Sequence, residues 1–212
     1  MREAIKPFDL HTEISKGMLE SFLALILFLT PIFLILPLIS FDIIYVGLAY
    51  YIIYTTYILG TILILKCNNR RLTDVGISTK GLGESLFGSI LFVSIIVIIA
   101  VLREGLQVKS DLTSIQITEQ LIYNFIFSGI GQEILFRGLM FFSIWRWKGW
   151  KMALIISSFL FGLVHLTKGL GYVFATLIFG LTYGFIAYQS RNIIGPTVAH
   201  GLYNFLLGFL LV

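Results

Sequence analysis

The chain has 212 residues, 58% of them hydrophobic and only 12% charged, with a mean hydropathy of +0.95 and a net charge of +4. A soluble domain carries about 25% charged residues, so this composition excludes an ordinary soluble globule and implies an all-α, polytopic transmembrane helix bundle. The positive balance lies in short segments between apolar runs, which speaks against nucleic acid as a partner and for a membrane lipid surface. The single cysteine, Cys67, excludes an intrachain disulfide.

A membrane span needs about 20 mostly apolar residues. Residues 1–18 are polar and charged and read as a cytosolic N-terminal segment. The apolar run behind them has no small-residue cleavage signature, so it reads as a retained helix and not a signal peptide. Seven runs qualify as spans, at 19–40, 43–65, 86–102, 119–145, 150–166, 170–189 and 193–212, which makes 19–212 one bundle of seven spans.

Pro31 and Pro37 should kink or break the first run. The second carries Tyr45, Tyr50, Tyr51, Tyr54 and Tyr57, a stripe that reads as packing and interface anchoring. The segment 66–85 reads as a cytosolic connector lying on the headgroups. The fourth run is unusual in holding Asn124, Gln132, Glu133 and Arg137 among Leu, Ile and Phe. A charged side chain at bilayer depth costs at least ~2.5–3.5 kcal/mol, so this polar face must look into the bundle. Gly129, Gly131 and Gly138 leave space around it, and Gly180 and Gly184, four apart, suit a close internal helix contact in a monomer.

Seven spans place Arg2, Lys6, Lys16, Lys66, Arg70, Arg71, Lys80, Arg146, Lys148, Lys151 and Arg191 on one side and Arg103, Lys109 and Lys168 on the other. The positive-inside rule then puts the N-terminus in the cytosol and the C-terminus outside. Compact length and short loops favour a prokaryotic inner membrane.

Glu133 and Arg137 share a helix face, ~40° apart, which suits an ion pair. Gln132 is rotated ~100° from Glu133 and lines a neighbouring wall; its carboxamide cannot take a proton. His165 stands near the end of the fifth run. His200 and Asn204, again four apart, can donate two hydrogen bonds to one developing oxyanion, while His165 can orient or deprotonate a water. The HExxH spacing of a zinc protease is absent, so no metal and no organic cofactor is expected. No serine has a nucleophile-elbow context.

Taken in order, Gln132-Glu133…Arg137, Phe161…His165, Gly180…Gly184 and His200…Asn204 resemble the motifs EExxxR, FxxxH, a glycine-bearing helix and HxxxN. These belong to the CAAX protease and bacteriocin-processing (CPBP, or ABI) family of intramembrane glutamate proteases, which includes the type II CAAX prenyl endopeptidases. The likeness covers about residues 119–205. It implies an endopeptidase that cuts a lipidated or hydrophobic peptide, prenylated or bacteriocin-like, by activating water without a cofactor. It also implies roles: His165 as the partner of the water, Glu133 and Arg137 as the organising pair, His200 and Asn204 as oxyanion donors.

The chain departs from the family at Gln132, where the first glutamate, the general base, should stand. General-base help is worth ~10²–10⁴ in rate, so Gln132 implies an enzyme nearly inactive in this form. Three readings stay open: a substitution introduced to silence an enzyme, a natural relative that binds without cutting, or a working site in which Glu133 or His165 alone is the base. A non-catalytic binding protein of the same fold, for bacteriocin immunity or signalling, is the alternative function. A transporter is disfavoured because no inverted repeat is evident.

Overall fold

A computed structural model of the chain describes residues 10–41, 43–106, 108–109 and 111–210. Among these residues there are seven helices and no strand, in the order the hydropathy pattern implies. We label them α1 (His11–Ser40), α2 (Val46–Cys67), α3 (Leu82–Glu104), α4 (Ser114–Lys148), α5 (Trp150–Leu163), α6 (Leu170–Ser190) and α7 (Ile194–Phe205, prolonged by Leu206–Leu210). Five of them, α1 to α4 and α6, are long and apolar enough to cross a membrane, and α5, at 14 residues, is apolar but shorter. The fold class is all-α, as expected.

Several ends move from their expected places for local reasons. Helix α1 starts well before residue 19, so the polar stretch 11–18 is helical; residues 1–9 lie outside the described residues. Glu13 and Glu20 on that first part accept hydrogen bonds from Arg70 at 2.8 and 2.7 Å, and Glu20 also takes Arg146 at 2.5 Å. The helix breaks at Ile35, between Pro31 and Pro37, each of which removes a helical N–H. Helix α4 starts at Ser114 because Thr113 and Gln116 form a reciprocal cap. Helix α5 stops at Leu163, which leaves His165 on the turn that follows it.

Helix α4 is the axis of the bundle. Its span window is 78% buried, against 17–28% for the other four long helices. Leu135, Phe136, Leu139 and Phe141 are wholly buried on it, packed with Phe28, Tyr57 and Phe161 of α1, α2 and α5. Much of α4 is π-wound, over Ile122–Ile130 and Ile134–Met140, with Gly131–Glu133 between. Such winding is uncommon and recurs at functional sites.

The segment 68–81 is more than a surface connector. Asn192 on the α6–α7 turn donates to the carbonyls of Ser78 (2.6 Å) and Lys80 (3.0 Å), and Ile193 N–H donates to the Gly76 carbonyl (2.9 Å). Ser85 Oγ–H closes the stitch by donating to the Asn192 carbonyl at 3.0 Å. The close approach of α3 and α7 depends on Gly195, where a Cβ would overlap the Ser85 carbonyl group. Gly195→Ala should therefore cost about 1–3 kcal/mol through overpacking, read as a lowered midpoint of thermal unfolding in detergent. Gly180 and Gly184 serve an internal contact with α5, since a Cβ would lie 2.9 Å from Ser158 Cα and 2.7 Å from Leu154 Cδ1.

Candidate active site

Helix α4 carries Gln132, Glu133 and Arg137 into the middle of the bundle, where Glu133 and Arg137 are fully buried and Gln132 nearly so. Their position is set by Gly131, which presses against α2 so closely that a Cβ would sit 2.8 Å from Tyr54 Cβ. That approach is what brings the Tyr54 hydroxyl within reach of Gln132.

Glu133 is the point where two helices meet. Its Oε1 accepts from Arg137 Nη1 at 3.2 Å, along α4, and from His200 Nδ1 at 2.7 Å, across to α7. Among the described residues its Oε2, and Nε and Nη2 of Arg137, have no hydrogen-bond partner. The Arg137 guanidinium lies over the Phe161 ring, its Cζ 3.9 Å from the ring centroid, which helps hold a cation away from water. The same ring meets His165 and His200 edge-on, at centroid distances of 5.4 and 5.8 Å. Phe161 is thus a post around which both imidazoles and the guanidinium are arranged.

A second set of bonds runs beside the first. Gln132 Nε2–H donates to Ser128 Oγ at 3.1 Å and to Tyr54 Oη at 3.2 Å. Ser128 Oγ also accepts from Asn204 Nδ2 at 3.2 Å. One buried hydroxyl therefore joins Gln132 on α4 to Asn204 on α7. Ser128→Ala would strip both carboxamides of that partner, and we expect it to cost about 1–3 kcal/mol, measured as a shift in the thermal unfolding midpoint of the detergent-solubilised chain.

His165 is held locally. Its Nδ1–H donates to the Phe161 carbonyl at 3.1 Å, which fixes the tautomer and leaves Nε2 with a free lone pair. Among the described residues no hydrogen bond links it to Gln132 or Glu133. Glu133 and His200 meet, but no third His, Cys, Asp or Glu among the described residues joins them as a metal-ligand set.

The six residues singled out from the sequence thus fall into two bonded groups and one neighbour. Glu133, Arg137 and His200 form the first group; Gln132 and Asn204 belong to the second; His165 adjoins through Phe161. Sequence reasoning missed Tyr54 and Ser128. Ser128 had a signal, because it precedes Gln132 by four residues on one helix face. Tyr54 had none that set it apart from the tyrosines around it.

Against known proteins, residues 114–206 match the family model described as type II CAAX prenyl endopeptidase Rce1-like. No curated protein and no solved structure matches significantly. The matched stretch begins at the cap of α4 and ends at α7, so it takes in every residue of both bonded groups except Tyr54, and the apolar helices around it are those of an integral membrane protein. Over residues 114–206 this chain is similar to the type II CAAX prenyl endopeptidase Rce1-like family.

Proposed function

We propose that the chain is an intramembrane endopeptidase that hydrolyses a peptide bond in a lipidated or hydrophobic peptide, with its core at about 119–205. The observation that carries this reading is the meeting of Glu133, Arg137 and His200 at one buried carboxylate oxygen, beside Gln132, Ser128 and Asn204. A water near His165 would give a proton to Nε2, and its oxygen would attack the peptide carbonyl. His165 then passes that proton to the departing amide nitrogen. His200 spends Nδ1–H on Glu133, so its Nε2 can donate to the oxyanion only as an imidazolium. Asn204 would give its second donation in a water-poor cavity, where such donors count for more.

An apolar cavity of about 330 Å³ supports a hydrophobic substrate. It is lined by Phe125, Ile126, Ile130 and Ile134 of α4 and Ile194 and Val198 of α7, among others, and so runs along the same two helices. The setting we propose is a monomer in a prokaryotic cell membrane with its N-terminus in the cytosol. Prenylated or bacteriocin-like peptides fit this substrate class.

Gln132 itself favours a second reading, a non-catalytic binding protein for immunity or signalling. A carboxamide cannot accept the proton of an attacking water, and both Gln132 and Asn204 are engaged on Ser128. Terminal-peptide mass spectrometry separates the two, on membranes carrying this chain, its Gln132→Glu form, and Gln132→Glu with His165→Ala. New peptide ends that need His165 support the protease. No new ends in any form, with the cellular phenotype intact after His200→Ala, support the binding protein.

A further inference from the structure

The end of the bundle where α1 begins and α4 ends holds a cavity of about 700 Å³, a volume within the range of small-molecule sites. It is separated from Glu133 by a wholly buried stretch of α4, including Leu139 and Phe141. Four cations line it: Arg70, Lys80, Arg146 and Arg191. Trp145 and Phe142 form its aromatic wall.

The acids around it are already occupied. Glu20 lies between Arg70 and Arg146, and Glu13 is bound to Arg70. The carboxylate of Asp74 accepts from the Arg71 backbone N–H at 2.8 Å, and Arg146 Nη1 donates to the Asp74 carbonyl at 3.1 Å. Lys80 and Arg191, by contrast, have no ion-pair partner among the described residues. Arg191 is held with its guanidinium 3.6 Å from the Trp145 ring centroid. Its backbone sits at φ 55° and ψ 31°, a left-handed conformation that is uncommon for a residue other than glycine. Arg191 remains exposed, so an incoming anion can reach it.

The backbone segments that carry these two cations are also tied together. Asn192, next to Arg191, donates to the Lys80 carbonyl at 3.0 Å. Burial alone would lower the Arg70 pKa, but hydrogen bonds to Glu20 and Glu13 offset that and leave it raised, so the floor of the cavity stays charged.

We propose that this cavity binds a phosphate group, carried by an anionic lipid headgroup or by a soluble phosphate monoester. Forked guanidinium donors with a lysine point charge suit phosphate oxygens. Trp147 and Trp150 flank the same end, as tryptophans do at headgroup depth. The site stands apart from the reading of the polar cluster as a protease and does not depend on it.

The test uses the full chain purified in detergent and native mass spectrometry. It is titrated separately with phosphatidylglycerol, phosphatidylcholine and glycerol 3-phosphate. Retention of phosphatidylglycerol over phosphatidylcholine is expected, and the Lys80→Gln, Arg191→Gln double variant should weaken it about tenfold or more. Lys148→Gln with Lys151→Gln, which removes two lysines outside the cavity, should change retention little. Glycerol 3-phosphate bound with the same dependence on Lys80 and Arg191 supports the soluble source. Equal retention by the parent and the Lys80, Arg191 variant, or no retention of phosphatidylglycerol or of glycerol 3-phosphate, overturns the proposal. An unchanged thermal midpoint of the variants separates lost binding from lost folding.

Discussion

Gln132→Glu is expected to raise peptide-bond hydrolysis by about 10²–10⁴, the worth of a general base in position. The surroundings already suit the change. Both neighbours of Gln132 are hydroxyls, Tyr54 and Ser128. A hydroxyl accepts from a carboxamide N–H and donates to a carboxylate oxygen with equal ease. The two bonds therefore reverse direction without moving heavy atoms, and Asn204 keeps Ser128 Oγ as its acceptor. In the carboxylate form the acid has an oxygen free to take a proton from water. The gain should vanish with His165→Ala, read as the loss of new peptide ends. A gain that survives His165→Ala would exclude His165 from water activation.

Arg137→Met should destabilise the chain by about 3–5 kcal/mol, because it leaves Glu133 charged and buried with one of its two partners gone. Arg137 is fully buried and also loses its seat on Phe161, worth about 0.5–2 kcal/mol. Adding Glu133→Gln removes the stranded charge, so the double variant should recover much of the loss. The comparison is made from chemical or thermal unfolding in detergent. If the double variant is no more stable than Arg137→Met, the arginine is holding the bundle by shape and stacking, and the ion pair contributes little.

The helices were legible because lipid demands apolar runs of a certain length, and length and hydropathy are written residue by residue. The Glu133–Arg137 pair was legible for the same local reason, since four residues on a helix bring two side chains to one face. The link from Glu133 to His200 spans 67 residues, and no spacing rule reaches that far. The resemblance placed both residues in one site, yet it assigned His200 to the oxyanion and not to Glu133. The early start of α1 was hidden because a polar stretch reads as a tail unless its partners, Arg70 and Arg146, are known. The end of α5 was overrun because Val164 and Leu166 are as apolar as the helix before them. The docking of segment 68–81 was missed because Asn192 captures backbone carbonyls, which every residue possesses and no sequence pattern announces.

Glu20 couples the fold to the order in which the chain is made. It is wholly buried between two arginines that follow it by 50 and 126 residues. At about 5–20 residues per second of synthesis, the first partner emerges some ~3–10 s later and the second ~6–25 s later. For that interval Glu20 lacks both arginines that hold it in the finished fold, and Lys16, one turn before it, is the nearest cation along α1. The nascent helix must keep that end at the headgroups until then. Its final depth is set only when the end of α4 has been translated, so α1 is made well before the partners that fix it.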